Sequence, residues 1–212
     1  MPSNTDSDGP RDVAAVVRRY RRLERPISAG IAVLVGLVAA VAIITLPLVV
    51  GLAVALAVFV AVRVPIFETG GTTTLSTQQR PDEVRAAFES ASPPPLVFQW
   101  GLADEVEQTD GGWSYEISYL LGLRSVRLHV ETHSGDDADL ELVVTVGDQS
   151  WGTYRVDIEA RDDETIVVID TTSDRRFGLR RLPQWFVGQR YRVAALSAQG
   201  YTVVEQDARL TL

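Results

Sequence analysis

The chain has 212 residues, with 28 acids against 20 bases and a formal net charge of -8, and every base is Arg. It holds no Cys, which excludes disulfide frameworks, thiolate zinc sites, iron–sulfur clusters and thiol nucleophiles. The acidic balance also argues against nucleic acid as a partner, because phosphate neutralisation needs a basic surface.

The charge is sorted along the chain. Residues 1–26 carry six Arg and four acids, residues 27–67 carry Arg63 alone, and residues 68–212 carry 24 acids and 13 Arg. These breaks predict a basic N-terminal segment 1–26, an apolar segment 27–67 and an acidic domain 68–212. Within the first segment, Val13, Val16, Val17, Tyr20 and Leu23 recur at helical spacing between Arg residues. The pattern reads as a short amphipathic helix at the lipid headgroup level, or as a topology signal alone.

From Ile27 to Val62 there are 36 positions without a charge. One helix of that length would rise roughly 54 Å against about 30 Å of hydrocarbon. Tilts near 20° absorb little of the excess. Two spans broken at Leu46–Pro47 fit better, since Pro47 ends the hydrogen-bond ladder and Gly51 eases a turn. Small residues such as Gly36, Ala40 and Ala55 let two helices approach closely in lipid. The segment therefore reads as a transmembrane helical hairpin, the alternative being one tilted span with a re-entrant remainder. A cleaved signal peptide is disfavoured, because the run is too long for an h-region and no small-residue cleavage site follows. The Arg18–Arg25 cluster beside the first span predicts a cytoplasmic N-terminus. Two spans return the acidic domain to the same side, as a multi-pass protein of the cell membrane, whereas one span would place it outside.

Beyond Phe67, Thr72–Gln78 predicts a polar strand. A helix starts at Pro81, with Asp82 and Glu83 in its first turn, and Ser92–Pro95 closes it. Period-two alternation then marks four strands. Trp113, Tyr115, Ile117 and Tyr119 share one face, as do Val126, Leu128 and Val130. Leu140, Leu142, Val144 and Val146 do the same, followed by Tyr154, Val156 and Ile158. Turn signals at Asp110-Gly111-Gly112, Ser134–Asp137, Gly147-Asp148 and Arg161–Asp163 separate them, which suits an antiparallel meander. Residues 164–172 are apolar on both faces and give no sidedness. Pro183–Gln199 predicts a helix capped by Gly200, with Leu182, Trp185, Phe186, Val193 and Leu196 as its apolar stripe and Gln189 interrupting it. Tyr201–Leu212 reads as a short strand or tail.

Catalytic chemistry is not evident. There is no phosphate-binding Gly loop, dinucleotide fingerprint or nucleophile elbow. His129 and His133 stand about 13 Å apart on one strand face, too far to share a metal ion, and that face is the polar one. The pairs Asp104-Glu105, Asp136-Asp137 and Asp162-Asp163 sit at turns or outward positions without calcium-loop spacing. Neither a catalytic residue, a metal nor a cofactor is expected.

The order strand, short helix, antiparallel strands, long C-terminal helix resembles the SRPBCC superfamily of START-like and polyketide-cyclase-like domains. The likeness rests on Thr73–Phe88, a strand leading into Arg-Pro-Asp-Glu-Val-Arg-Ala-Ala-Phe, and on Phe177–Glu205, a long helix running into Gly-Tyr-Thr-Val-Val-Glu. It implies an α+β helix-grip fold, a curved antiparallel sheet around the C-terminal helix with an apolar cavity between them. The hairpin lies outside the family pattern. Trp113, Tyr115, Tyr119, Tyr154 and Trp185, with the polar Gln189, become candidate ligand-binding residues, the plain alternative being a solid aromatic core. The acid-rich, Arg-only surface suits a halophile's cytosol, of haloarchaeal type.

Three functions compete. The first is a membrane-tethered module holding a lipid or other hydrophobic small molecule. The second is a scaffold or assembly factor that binds membrane proteins through the hairpin. The third, an enzyme on a hydrophobic substrate, lacks an inward acid or base. Expected partners are thus membrane lipid, a hydrophobic small molecule and a membrane protein, with no nucleic acid.

Overall fold

Period-two alternation carries through into a single sheet. The computed structural model describes residues 9–119, 124–134 and 138–211, and within these the side chains of 9–12, 14, 18, 20–29, 119, 180 and 184 are outside the description. The elements are α1 (Gly9–Thr45), α2 (Leu48–Arg63), β1 (Glu68–Thr77), α3 (Pro81–Glu89), α4 (Val97–Trp100), β2 (Glu105–Thr109), β3 (Gly112–Tyr119), β4 (Arg124–His133), β5 (Leu140–Val146), β6 (Gln149–Arg161), β7 (Glu164–Ser173), α5 (Leu182–Ser197) and β8 (Thr202–Thr211). Short 3-10 turns at Pro94–Leu96 and Leu179–Arg181 precede α4 and α5. Eight strands form one sheet in the order β2-β3-β4-β5-β6-β7-β1-β8, and every pairing is antiparallel. The architecture is α+β, a large antiparallel sheet with a C-terminal helix.

One sheet face supplies most of the core. Leu128, Val130, Leu140, Leu142, Val156 and Val167 are buried on it, and Val84, Phe88, Leu96 and Leu196 from the helices pack against them. Three of the expected turns fall in place, with Gly111, Gly147 and Asp162 at positive φ, and residues 135–137 of the fourth, Ser134–Asp137, lie outside the described residues. Strand β7 resolves the ambiguous run, because Thr165, Val167 and Ile169 are the buried members. The predicted tail is a ten-residue edge strand, β8, paired along β1. Strand β2 escaped the alternation rule, because all five of its residues are exposed at the opposite edge.

Helix α3 begins as its sequence dictates. Pro81 occupies the first turn, where its missing N–H costs nothing, and the Arg80 backbone N–H donates to Glu83 Oε2 at 3.0 Å. Helix α5 ends at Gly200, whose φ of +85 favours glycine. Its inward face differs from the expected stripe. Phe186 is 62% exposed, and Val193 also points outward. Leu196 is buried as expected, and Ala195 is buried beside it, because α5 has two partners. Leu196 joins the sheet core, while Ala195 packs with Val97 against Val13 and Val17 of α1. Val13 and Val17 of the face expected at the headgroup level thus pack on the domain, while the side chains of Tyr20 and Leu23 lie outside the described residues.

Helix α1 continues without a break into the apolar run and ends before Pro47, where the hairpin turns. A Cβ on Gly51 would lie 2.6 Å from the Ala42 carbonyl oxygen, so the two helices touch closely at this level only with glycine there. Gly36, by contrast, faces open space. Among the described residues no helix is long and apolar enough to cross a membrane; α2 itself has 16 residues.

The hairpin exit is tied to the domain. The Phe67 and Phe177 backbones exchange hydrogen bonds of 3.0 and 2.8 Å, and Arg176 pairs with Glu68 at 2.6 Å. Gly178 presses on the end of α2, where a Cβ would meet the Val62 carbonyl oxygen at 2.8 Å. Gly178→Ala should therefore destabilise the chain by about 1–3 kcal/mol through overpacking. Gly188→Ala, in the α5 interior where nothing lies within 4 Å, should stabilise it by about 0.5–1 kcal/mol. Denaturant unfolding of the full chain in mild detergent, followed by Trp fluorescence, measures both.

Burial also sets an alkaline limit. Tyr201 is 2% exposed, its hydroxyl has no hydrogen-bond partner among the described residues, and burial pushes its pKa up to about 12 from 10.0. The folded state keeps this proton after the unfolded chain has lost it. Its contribution is therefore fully present below about pH 10 and is lost as pH rises toward about 12. Tyr201→Phe should leave neutral-pH stability equal or higher, since no hydrogen bond is lost. It should also flatten the alkaline fall in a pH series of unfolding curves.

Candidate functional site: a cavity under the C-terminal helix

Along α5, Trp185, Gln189, Arg192 and Leu196 succeed one another at spacings of four, three and four, which places them on one helical face. Leu196 closes one end of that face in the core. The other three line a cavity of about 200 Å³, whose remaining walls come from α4 and from strands β1, β5, β6, β7 and β8. Aromatic surface comes from Trp151, Tyr154 and Trp185, and polar groups come from Gln99, Gln189, Arg192 and Gln206. The lining is mixed rather than apolar.

The polar groups are only partly satisfied. Gln206 Nε2 donates to Gln189 Oε1 at 2.5 Å, which fixes the Gln189 amide against β8. Gln99 Oε1 and Arg192 Nε are buried and have no hydrogen-bond partner among the described residues. Both atoms are closed to solvent and do not face the space itself, so the polar character of the wall comes from the side chains of Gln99, Gln189, Arg192 and Gln206 as a set. Nothing along it forms an acid–base pair. Asp207 also lines the cavity, but its carboxylate accepts from Arg209 Nε at 2.9 Å on the exposed side. Among the described residues no group of three or more His, Asp or Glu is placed to hold a metal ion. His133 lies against Glu131 at 3.4 Å, and both are about half exposed.

Of the residues singled out from the sequence, Tyr154, Trp185 and Gln189 come together here. Trp113 and Tyr115 do not. Trp113 Nε1 donates to the Glu89 carbonyl at 3.0 Å and Tyr115 Oη to the Ala91 carbonyl at 3.1 Å. With Trp100 Nε1 donating to the Pro93 carbonyl at 3.1 Å, these aromatics fasten the segment between α3 and α4. Tyr115 is fully buried, and burial raises its phenol pKa. Tyr115 belongs to the core, while the partly buried Trp113 packs against it and borders a separate pocket of about 290 Å³ with Glu89 and Leu140. The Tyr119 side chain lies outside the described residues.

Sequence reasoning missed Gln99, Trp151, Arg192 and Gln206. Trp151 sits at a β-bulge: Val144 pairs with Gly152, but Thr145 pairs with Ser150. The extra residue lets Trp151 share a wall with Tyr154, against strict alternation. Arg192 was legible as the position three beyond Gln189. Gln206 became a wall residue only because the C-terminal run is a full strand.

No family model and no curated protein matches the chain. Solved structures similar to it include the Mll3558 protein from Rhizobium loti, with 21% identity, 63% of this chain and 97% of that chain covered, and a TM-score of 0.42. A conserved protein from Geobacillus kaustophilus has 9% identity, coverage of 68% and 99%, and a TM-score of 0.43. A START superfamily protein from Mycobacterium smegmatis has 8% identity, coverage of 63% and 97%, and a TM-score of 0.38. Likeness at this level carries no argument about activity.

Proposed function

We propose that the chain is a membrane-anchored binding module, in which the hairpin sits in the bilayer and a helix-grip domain of SRPBCC type holds a small amphiphilic molecule under α5. The observation that carries the ligand reading is the cavity wall, where the aromatic side chains of Trp151, Tyr154 and Trp185 stand beside the polar side chains of Gln99, Gln189, Arg192 and Gln206. Size then narrows the ligand. At about 200 Å³ the space slightly exceeds the roughly 150 Å³ that accommodates benzene. It falls short of the roughly 300–1,000 Å³ of drug-sized sites. A single-ring compound bearing a hydrogen-bonding group fits; a whole membrane lipid does not.

Three observations support the anchor. Residues 27–62 carry no charge. Large apolar side chains on both hairpin helices are exposed, with Ile44 at 81% and Val49 at 80%. A contiguous apolar surface of this kind marks a membrane or protein contact. Residues 27–45 rise about 28 Å and α2 about 24 Å, close to the roughly 30 Å of a bilayer core. Arg63 at the end of α2 extends the shorter helix by reaching the interface. The Arg-rich start of α1 supports a cytoplasmic side for the N-terminus and the domain.

Two experiments test this reading. Native mass spectrometry of the chain gently extracted from its own membranes should show the mass of one small bound compound. Thr171→Phe, which fills the cavity, should remove it. An unliganded mass in the unaltered chain would contradict the ligand reading. Alkaline carbonate washing should leave the chain in the membrane pellet, and release to the supernatant would contradict the anchor.

A further inference from the structure

We propose that the outer face of the first turns of α5 is a second membrane contact, which lays the domain on the bilayer surface. Leu179, Pro183 and Phe186 enter the headgroup layer, and Arg190 meets the phosphates. The proposal rests on the membrane reading of the hairpin and goes beyond it by assigning one surface of the domain to the lipid interface.

The path of the chain sets the height of this face. Gly178 lies against the backbone carbonyls of Val62, Arg63 and Val64, so the 3-10 turn that follows starts level with Arg63, the charge that closes the apolar hairpin. That turn packs on both hairpin helices. At the far end of α5, Ala195 is held against Val13 and Val17, about 20 Å along the helix from Leu182. Helix α5 therefore climbs beside the first turns of α1, away from the apolar run. Its own first turns are the ones nearest the lipid.

The faces of α5 are shared between two partners, with one left over. Trp185, Gln189 and Arg192 line the cavity, and Ala195 packs on α1. Pro183, Phe186, Arg190 and Val193 recur at spacings of three, four and three, which is a single helical face, and all four are exposed. The exposed Leu179 continues it toward the hairpin. An edge contact with Trp185, centroids 5.0 Å apart, sets the Phe186 ring in place. Phe186 stands about 6 Å beyond Leu182, within a headgroup layer roughly 5–7 Å deep. Helical side chains lean back toward the N-terminus, here toward the lipid. Arg190, one turn further, reaches back to the phosphates on its long stem, and Val193 lies about 10 Å beyond Phe186, clear of the layer. Apolar side chains toward the hydrocarbon with a base behind them is how an interfacial helix meets a bilayer. The face is also continuous with the hairpin exit, which selects lipid over a second copy of the chain as its occupant.

The test uses the full chain in vesicles of equal phosphatidylcholine and phosphatidylglycerol. Phe186→Cys, Val193→Cys and Val54→Cys each carry a single apolar fluorophore in a chain otherwise free of Cys. The label at 186 should be quenched by lipids brominated near their carbonyls and shielded from aqueous iodide, and the label at 193 should show the opposite. Leu179→Glu and Arg190→Glu should each lower lipid quenching at 186 about twofold or more, without changing the far-ultraviolet spectrum. Iodide quenching as strong at 186 as at 193, or lipid quenching at 186 that neither substitution lowers, overturns the proposal. So does shielding at 186 that vanishes when the chain is diluted in excess lipid, the mark of a second copy. The label at 54 separates the two claims. If iodide reaches it, the anchor and the surface contact fail together; if it stays shielded while 186 is open to iodide, the surface contact fails alone.

Discussion

One helix answers to two environments, and the rest of the structure follows from that. The first turns of α1 bury Val13 and Val17 against α4 and α5, and the same unbroken helix carries the apolar run up to the hairpin turn. More than a dozen large apolar side chains on the hairpin are at least a third exposed. At about 1 kcal/mol apiece, half the value for full burial of such a side chain, their transfer out of water rivals the roughly 5–15 kcal/mol that stabilises a whole domain. The proposed anchor takes that surface out of water. Whatever covers it also fixes where the domain lies, because the Phe67–Phe177 bridge and the Arg176–Glu68 pair fasten the other end of the hairpin to the sheet.

Seating α1 on α5 also shapes the cavity. With Ala195 committed to α1 and Leu196 to the sheet, α5 turns Trp185, Gln189 and Arg192 toward the sheet. A fully apolar stripe there would have closed the interior by packing. Two polar side chains on that face, with Gln99 and Gln206 opposite, keep a small space with hydrogen-bonding capacity left over. The aromatic donors at the α3–α4 connection do the reverse. Each finds a backbone carbonyl, so its donor is satisfied.

Much of this was legible from residue order. Alternation located β3 to β6, and positive-φ turn residues fell where Gly and Asp clusters predicted. Pro47 marked the hairpin turn, and Gly200 the end of α5. What remained hidden depended on partners that local pattern does not encode. Phe186 and Val193 look like core residues until α1 takes the neighbouring face of α5. The all-exposed β2 has no alternation to read, and it exists because β3 offers it an edge. Trp151 turns inward through a bulge, which no period-two rule anticipates, and the choice between core and ligand wall for Trp113 and Tyr115 stays open in the sequence because a hydrogen bond to a loop carbonyl leaves no trace there.

The depth of the hairpin in a bilayer tests the central claim most directly. Because the chain has no Cys, Val54→Cys in α2 and Asp163→Cys at the β6–β7 turn can each carry a single environment-sensitive fluorophore in vesicles. The account predicts that the label at position 54 is quenched by lipids brominated deep in their chains and shielded from aqueous iodide, with the opposite at position 163. Iodide quenching of equal strength at both positions would contradict it.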